Sequence, residues 1–240
     1  MPGNAPYDLP TQPEARVSPG LFAPKRLVQQ LLQFATDLIF PPRCAGCGRV
    51  DAEWCDTCQR RLEATSFPFS VRELEPLTGI AATGVHEGVI REAVQGLKYG
   101  NARSLAQPLG ERLVATFTRQ QWTIDLIVPV PLHTTRLAER GYNQAQLLSE
   151  HVAQETSIPC LPGAVIRRRN TQSQVTLGGA ERQTNLEDAF QATPQLVSGK
   201  HILLIDDVYT TGATLSACAQ AVLQAGAQRV YGLTVTVARL

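Results

Sequence analysis

Residues 201–227, HILLIDDVYTTGATLSACAQAVLQAGA, put chemistry-bearing side chains in a short space. Four apolar residues, Ile202 to Ile205, run into two adjacent acids, Asp206 and Asp207, then a Thr-Thr-Gly-Ala-Thr turn and an Ala-rich stretch. A buried strand entering a helix through such a turn aims free backbone N–H groups and the positive helix end at one point, which is an anion site. Gly212 lets the backbone approach closely, and the hydroxyls of Thr210, Thr211 and Thr214, with Ala213 between, donate to phosphate oxygens. Two carboxylates beside an anion repel it unless the ligand carries hydroxyls or positive charge a little further on. Together these requirements describe ribose 5-phosphate. The ordinary alternative is a helix cap with two acids at the helix start.

Two further segments supply walls for such a site. VPVPLHTTRLAERGYNQAQLL begins as a strand and continues into Pro131–Gly141, where His133, Arg136 and Arg140 offer donors suited to phosphate. Ligand crevices of α/β sheets lie beyond the carboxyl ends of the strands, where this loop falls; otherwise it is a basic surface loop. RRRNTQSQVTLGGAERQTNLEDAF, residues 167–190, is polar and carries four arginines. Long polar loops are lids or solvated surface, and Arg169, Gln174 and Arg182 are the contacts a lid would use. In LKYGN, Lys98 either reaches a pyrophosphate or is simply exposed.

The third group is CAGCGRVDAEWCDTC, with Cys44, Cys47, Cys55 and Cys58 spaced as two CxxC turns seven residues apart. Two such turns complete a tetrahedral four-sulfur shell, and four protein ligands leave no open position, so a structural Zn2+ is expected rather than a catalytic one. Two redox pairs or free thiols are the alternative. Cys160 and Cys218 have no matching partner nearby and read as small apolar filler.

These groups need a scaffold, and 240 residues with 43% apolar content can build one large core plus a small appendage. A net charge of +1 gives no global field for nucleic acid or anionic lipid, so any such affinity is local. No apolar run reaches the roughly 18 residues of a membrane span. No secretory leader precedes Leu27–Phe40, so a cytoplasmic protein is expected, attached to the membrane only through partners. Six of the sixteen prolines fall in the first 24 residues, which predicts a disordered tail over 1–24. A helix from Leu27 and the cysteine segment form an expected N-terminal module over 25–66, and Phe67–Pro76 reads as a linker.

From residue 77 to 240 strands alternate with helices. Expected strands are Gly79–His86, Leu126–Val130, Ala164–Arg167, Ile202–Ile205 and Val230–Val237; expected helices are Val89–Leu97, Leu105–Gln120, Gln144–Glu155 and Thr214–Ala225. Short strands that are apolar on both faces predict an α/β fold with a mostly parallel sheet flanked by helices. No GxxxxGK[ST] loop and no GxGxxG after a strand occurs, and His86-Glu87 lacks the second histidine of HExxH.

The stretch of four apolar residues, two acids, two variable residues and TTGxT is similar to the phosphoribosyl pyrophosphate (PRPP) signature of type I phosphoribosyltransferases. Together with CxxC…CxxC, LKYGN, VPVPLHTTRLAERGYNQA and TQSQVTLGGAERQTNLEDAF, in that family's order over about residues 27–240, the chain resembles the ComF (competence protein F, ComFC) family. The resemblance implies a Rossmann-like phosphoribosyltransferase fold and a ligand, PRPP or a related ribose phosphate. It implies that Thr210–Thr214 hold the 5-phosphate, that Asp206 and Asp207 contact the ribose hydroxyls as the catalytic acids, and that Mg2+ accompanies the pyrophosphate. His133, Arg136, Arg140 and Lys98 would then grip the pyrophosphate, and Arg169, Gln174 and Arg182 would lie on a closing loop. It further implies a role in DNA uptake for natural transformation, with single-stranded DNA and an ATP-dependent helicase as partners. A non-catalytic adaptor on the same fold, binding DNA or the helicase, is the competing expectation; a PRPP-sensing regulator is a third.

Overall fold

The structure, a computed structural model, describes residues 41–50, 52–65, 69–70, 74–168 and 189–238. The expected tail, the helix from Leu27, and Arg169, Gln174 and Arg182 lie outside the described residues. The chain divides into Met1–Pro41 and Pro42–Leu240, and every described element, the cysteine segment included, belongs to the second unit.

In chain order the elements are α1 (Asp56–Glu63), β1 (Phe69–Ser70), β2 (Gly79–Ala82), α2 (Gly88–Tyr99), α3 (Ala106–Gln120), β3 (Leu126–Pro129), α4 (Thr134–Arg140) and α5 (Gln144–Thr156). Then follow β4 (Val165–Arg167), β5 (Phe190–Ala192), α6 (Pro194–Val197), β6 (His201–Tyr209), α7 (Ala213–Gln224) and β7 (Arg229–Val237). Five strands form one sheet in the order β1-β2-β7-β6-β3, parallel except for β1, while β4 and β5 make a separate antiparallel pair. The expected α/β class with a mostly parallel sheet is what the chain adopts.

Strand alternation sorts the core into two layers. Ile202 and Leu204 of β6 face one layer with Leu126, Val128 and the buried side of α7. Leu203 and Ile205 face the other with Leu97, Leu109, Leu113 and Leu148, from three different helices. Cys44, Cys55, Cys58 and Leu62 sit in that second layer, so the cysteine segment shares a core with α2 and α3.

Pro129 is tolerated within β3 because of which way its missing donor would point. Ile127 donates outward to Pro159, while Val130 donates inward to Ile205 of β6. Residue 129 has the parity of 127, so the absent N–H falls on the sheet's outer edge and no β6 bond is lost.

Four expectations need correction. Phe67–Pro76 is not only a linker: Phe69 and Ser70 form β1, antiparallel to β2 through Phe69↔Ala82 and Ser70↔Ala81. Pro131–Gly141 is not all loop: residues 134–140 form a helical turn, with the ring of His133 accepting from the Thr135 N–H at 3.3 Å. That side-chain cap is the signal the reading missed, since histidine is not among the favoured cap residues. β6 does not stop at Ile205 but runs on to Tyr209, paired with β7 through Tyr209↔Val237, so both acids are strand residues. β2 stops at Ala82 rather than His86. Beyond it, Thr83 and His86 are still tied to β7, with the Thr83 hydroxyl on the Val235 carbonyl at 2.8 Å and the His86 N–H on that of Val237 at 2.8 Å.

Candidate functional site

The turn between β6 and α7 has the geometry an anion requires. Gly212 sits at φ +80° and caps α7 without any side-chain cap bond. A Cβ there would lie 2.7 Å from Leu74 Cδ2 and 2.8 Å from Tyr209 Cε2, so neither the dihedral nor the space admits another residue. Among the described residues, no hydrogen-bond acceptor takes the amides of Thr210, Thr211, Gly212 or Thr214. Thr210, Thr211 and Ala213 are exposed and Thr214 is half-buried. Unpaired amides at the start of a twelve-residue helix, edged by threonine hydroxyls, can receive a phosphate.

The two acids precede this turn on the same strand, and neighbours on a strand point to opposite faces. Asp207 faces α2: its Oδ1 is 2.9 Å from Lys98 Nζ, and its Oδ2 is buried with no hydrogen-bond partner among the described residues. Asp206 faces the other layer, within the fields of Arg167 and the buried thiol of Cys218. Its Oδ1 accepts from the Asp207 N–H at 2.8 Å. Desolvation, reinforced by the Asp207 charge, pushes the Asp206 carboxyl up to about 7.

Sequence reasoning missed two residues here. His86 Nδ1 lies 2.8 Å from Thr236 Oγ1, and burial, helped by Lys98 and Arg91, holds its imidazole below the usual range. Arg167, at the end of β4 and packed on the Phe190 ring at 5.4 Å, was hidden in a run of three arginines. Its position at the carboxyl end of an expected strand was the available signal.

The basic segment is brought to the end of α2. Arg140 lies 5.4 Å from the Tyr99 ring and donates to Gln144, while the Tyr142 hydroxyl donates to the Leu97 carbonyl. Arg103 stacks on Tyr142 at 4.5 Å. Arg136, on the exposed face of α4, lies within the field of Arg167, which connects the segment to the Asp206 side as well. Lys98 points into this junction, toward Asp207 rather than into solvent.

The four cysteine sulfurs lie within 4.8 Å of one another, with three of the residues buried and Cys47 exposed. Cys47 and Cys55 Sγ are 3.6 Å apart, close to the roughly 3.8 Å edge of a tetrahedron with metal–sulfur bonds of about 2.3 Å. Gly46 makes the first turn possible, since a Cβ there would meet Cys58 Sγ at 2.7 Å. Burial alone would raise the Cys44 thiol. Backbone N–H groups of Cys55, Gly46 and Cys47 outweigh it and bring Cys44 down to about 6, a thiolate ready for a cation. Cys58 is pushed up by burial and by its sulfur neighbours, the crowding that a metal ion would relieve. The donor set can hold a metal ion and fits Zn2+.

No family model matches the chain. The DNA utilization protein YhgH of Salmonella typhi is 38% identical over 194 residues, covering 78% of this chain and 85% of that one. Competence protein F of Haemophilus influenzae is 29% identical over 205 residues, 80% of this chain and 84% of the relative. Among solved structures, a glutamine PRPP amidotransferase from B. subtilis, complexed with ADP and GMP, aligns at a TM-score of 0.43 and 17% identity, over 59% of this chain and 30% of that one. No described helix is long and apolar enough to cross a membrane.

Proposed function

This chain belongs to the ComF family, and from that premise we propose that it is a phosphoribosyltransferase-type protein that binds PRPP and serves DNA uptake in natural transformation. The observation that carries the reading is the turn at 210–214, with the amides of Thr210, Thr211, Gly212 and Thr214 unclaimed by described residues, following two acids on one strand. The 5-phosphate would rest on Thr210–Thr214 and the ribose hydroxyls on Asp206 and Asp207. His133, Arg136 and Arg140 would receive the pyrophosphate, with Mg2+ neutralising part of its charge. Departure of pyrophosphate leaves positive charge at the sugar's C1, which the two acids stabilise while the basic groups stabilise the leaving anion. Zn2+ at Cys44, Cys47, Cys55 and Cys58 would be structural, and the protein would work in the cytoplasm.

Calorimetric titration with PRPP and Mg2+ tests the reading. Wild type should bind, and Asp206→Asn/Asp207→Asn should lose most of the affinity. A wild type that ignores PRPP yet binds single-stranded DNA, with loss on Tyr99→Ala, would instead establish the adaptor, since Tyr99 is 76% exposed beside Arg140 and available for base stacking.

A further inference from the structure

Lys98 is the feature whose placement asks for more than an ordinary ion pair. It lies in the last turn of α2, and its ammonium sits on a carboxylate whose side chain is 4% exposed while its own is 21% exposed. Removing one member of such a pair strands a buried charge, so the pair persists only while each partner has nothing better. On either side of Lys98 the helix end is fixed to the basic segment: the Leu97 carbonyl accepts from the Tyr142 hydroxyl, and Tyr99 lies beside Arg140. Lys98 therefore stands between the acid assigned to the sugar and the residues assigned to the pyrophosphate. Its long flexible stem carries a compact charge that can turn from one to the other without moving the backbone.

We propose that the Lys98–Asp207 pair is a specificity latch, closed in the free protein and opened only by a sugar phosphate that also brings a pyrophosphate. The inference rests on the PRPP reading of the site. Asp207 Oδ1 carries the ammonium and Oδ2 is buried, so a ribose hydroxyl that takes its place on Oδ1 displaces the ammonium. Pyrophosphate, with several negative charges where the single Asp207 carboxylate has one, gives the displaced ammonium a stronger partner. Ribose 5-phosphate offers the hydroxyls but no second anion, so it must either leave Lys98 in place or strand it. Lys98 thus acts as a positioning residue for Asp207 in the empty site and as a pyrophosphate contact in the filled one. The latch makes PRPP preferred over ribose 5-phosphate by more than the added contacts of the basic segment alone.

The test uses the full chain with its cysteine centre loaded, titrated calorimetrically in Mg2+ with PRPP, ribose 5-phosphate and inorganic pyrophosphate. In wild type, pyrophosphate should tighten ribose 5-phosphate binding, although two neighbouring anions would by themselves oppose each other; linkage requires the reverse effect to be equal. Lys98→Met should abolish that synergy and lower the PRPP to ribose 5-phosphate affinity ratio by about tenfold or more, the value of a charged hydrogen bond. Lys98→Arg, which keeps the charge, should restore part of it. Independent or antagonistic binding of the two anions in wild type overturns the latch without needing any variant. So does a Lys98→Met protein in which both ligands weaken in parallel, because Lys98 then only supports Asp207. A wild type that binds neither PRPP nor ribose 5-phosphate overturns the PRPP reading itself, and the latch with it.

Discussion

Asp206 shows how a single side chain records its surroundings. Its carboxyl is raised from 3.8 to about 7 by desolvation and by the neighbouring Asp207 charge. A raised acid pKa favours the protonated form, so the folded state is penalised only as pH climbs from about 4 through about 7, and the penalty is complete above that window. Asp206→Asn should therefore be nearly neutral at pH 4 and stabilising at pH 8, by up to about 4 kcal/mol. Thermal midpoints of the two proteins across that range measure it, and a constant offset would contradict it. The strand–turn–helix geometry at 202–214 was legible from residue order alone, because a strand, two acids and TTGAT leave little geometric freedom. The division of the two acids between faces was not, because the expected strand ended at Ile205 and left the acids without a strand register. Arg167 and His86 escaped because what matters about them is which distant element they meet, and one sequence carries no record of that.

At the scale of elements, the cysteine segment behaves as part of the body it packs on. Ala45 lies so close to α2 that a Cβ on Gly96 would be 2.5 Å from its own, and Ser104 donates to Glu53 at 2.6 Å. Sulfur spacing foretold the cluster, since CxxC turns are local. It could not foretell that Cys58 and Leu62 would enter the same core as Leu97 and Leu105. A segment with so little apolar surface of its own would draw local order from an ion held by its four sulfurs. Cys55→Ser should reduce bound zinc from about one ion per chain to none and lower the melting temperature, as elemental analysis and calorimetry would show. A variant that keeps its metal, or a metal-free protein with an unchanged melting temperature, would count against a structural centre.

Across the whole molecule, Arg112 is the buried charge that joins the layers. From α3 it donates to the Leu62 carbonyl at 2.8 Å, and more weakly to those of Thr65 and Thr83 at 3.4 Å, so one guanidinium touches the end of the cysteine segment and the sheet. Burial lowers its affinity for the proton, and the carbonyls hold the charge in place. Arg112→Met should cost roughly 2–4 kcal/mol, because buried acceptors lose their donor. It should also speed zinc loss to a chelator, with Arg112→Lys intermediate. A metal-release rate equal to wild type would mean the two ends are not joined through this residue.

The placement of Asp206 and Asp207 on opposite faces of β6 has one more consequence. Each acid answers to a different layer: Asp207 to the α2 layer through Lys98, Asp206 to the β4–β5 layer through Arg167. The two carboxyls nonetheless share one balance, because the Asp207 charge raises Asp206 and Lys98 lowers it. A substitution at Lys98, in the α2 layer, therefore also retunes the carboxyl on the opposite face.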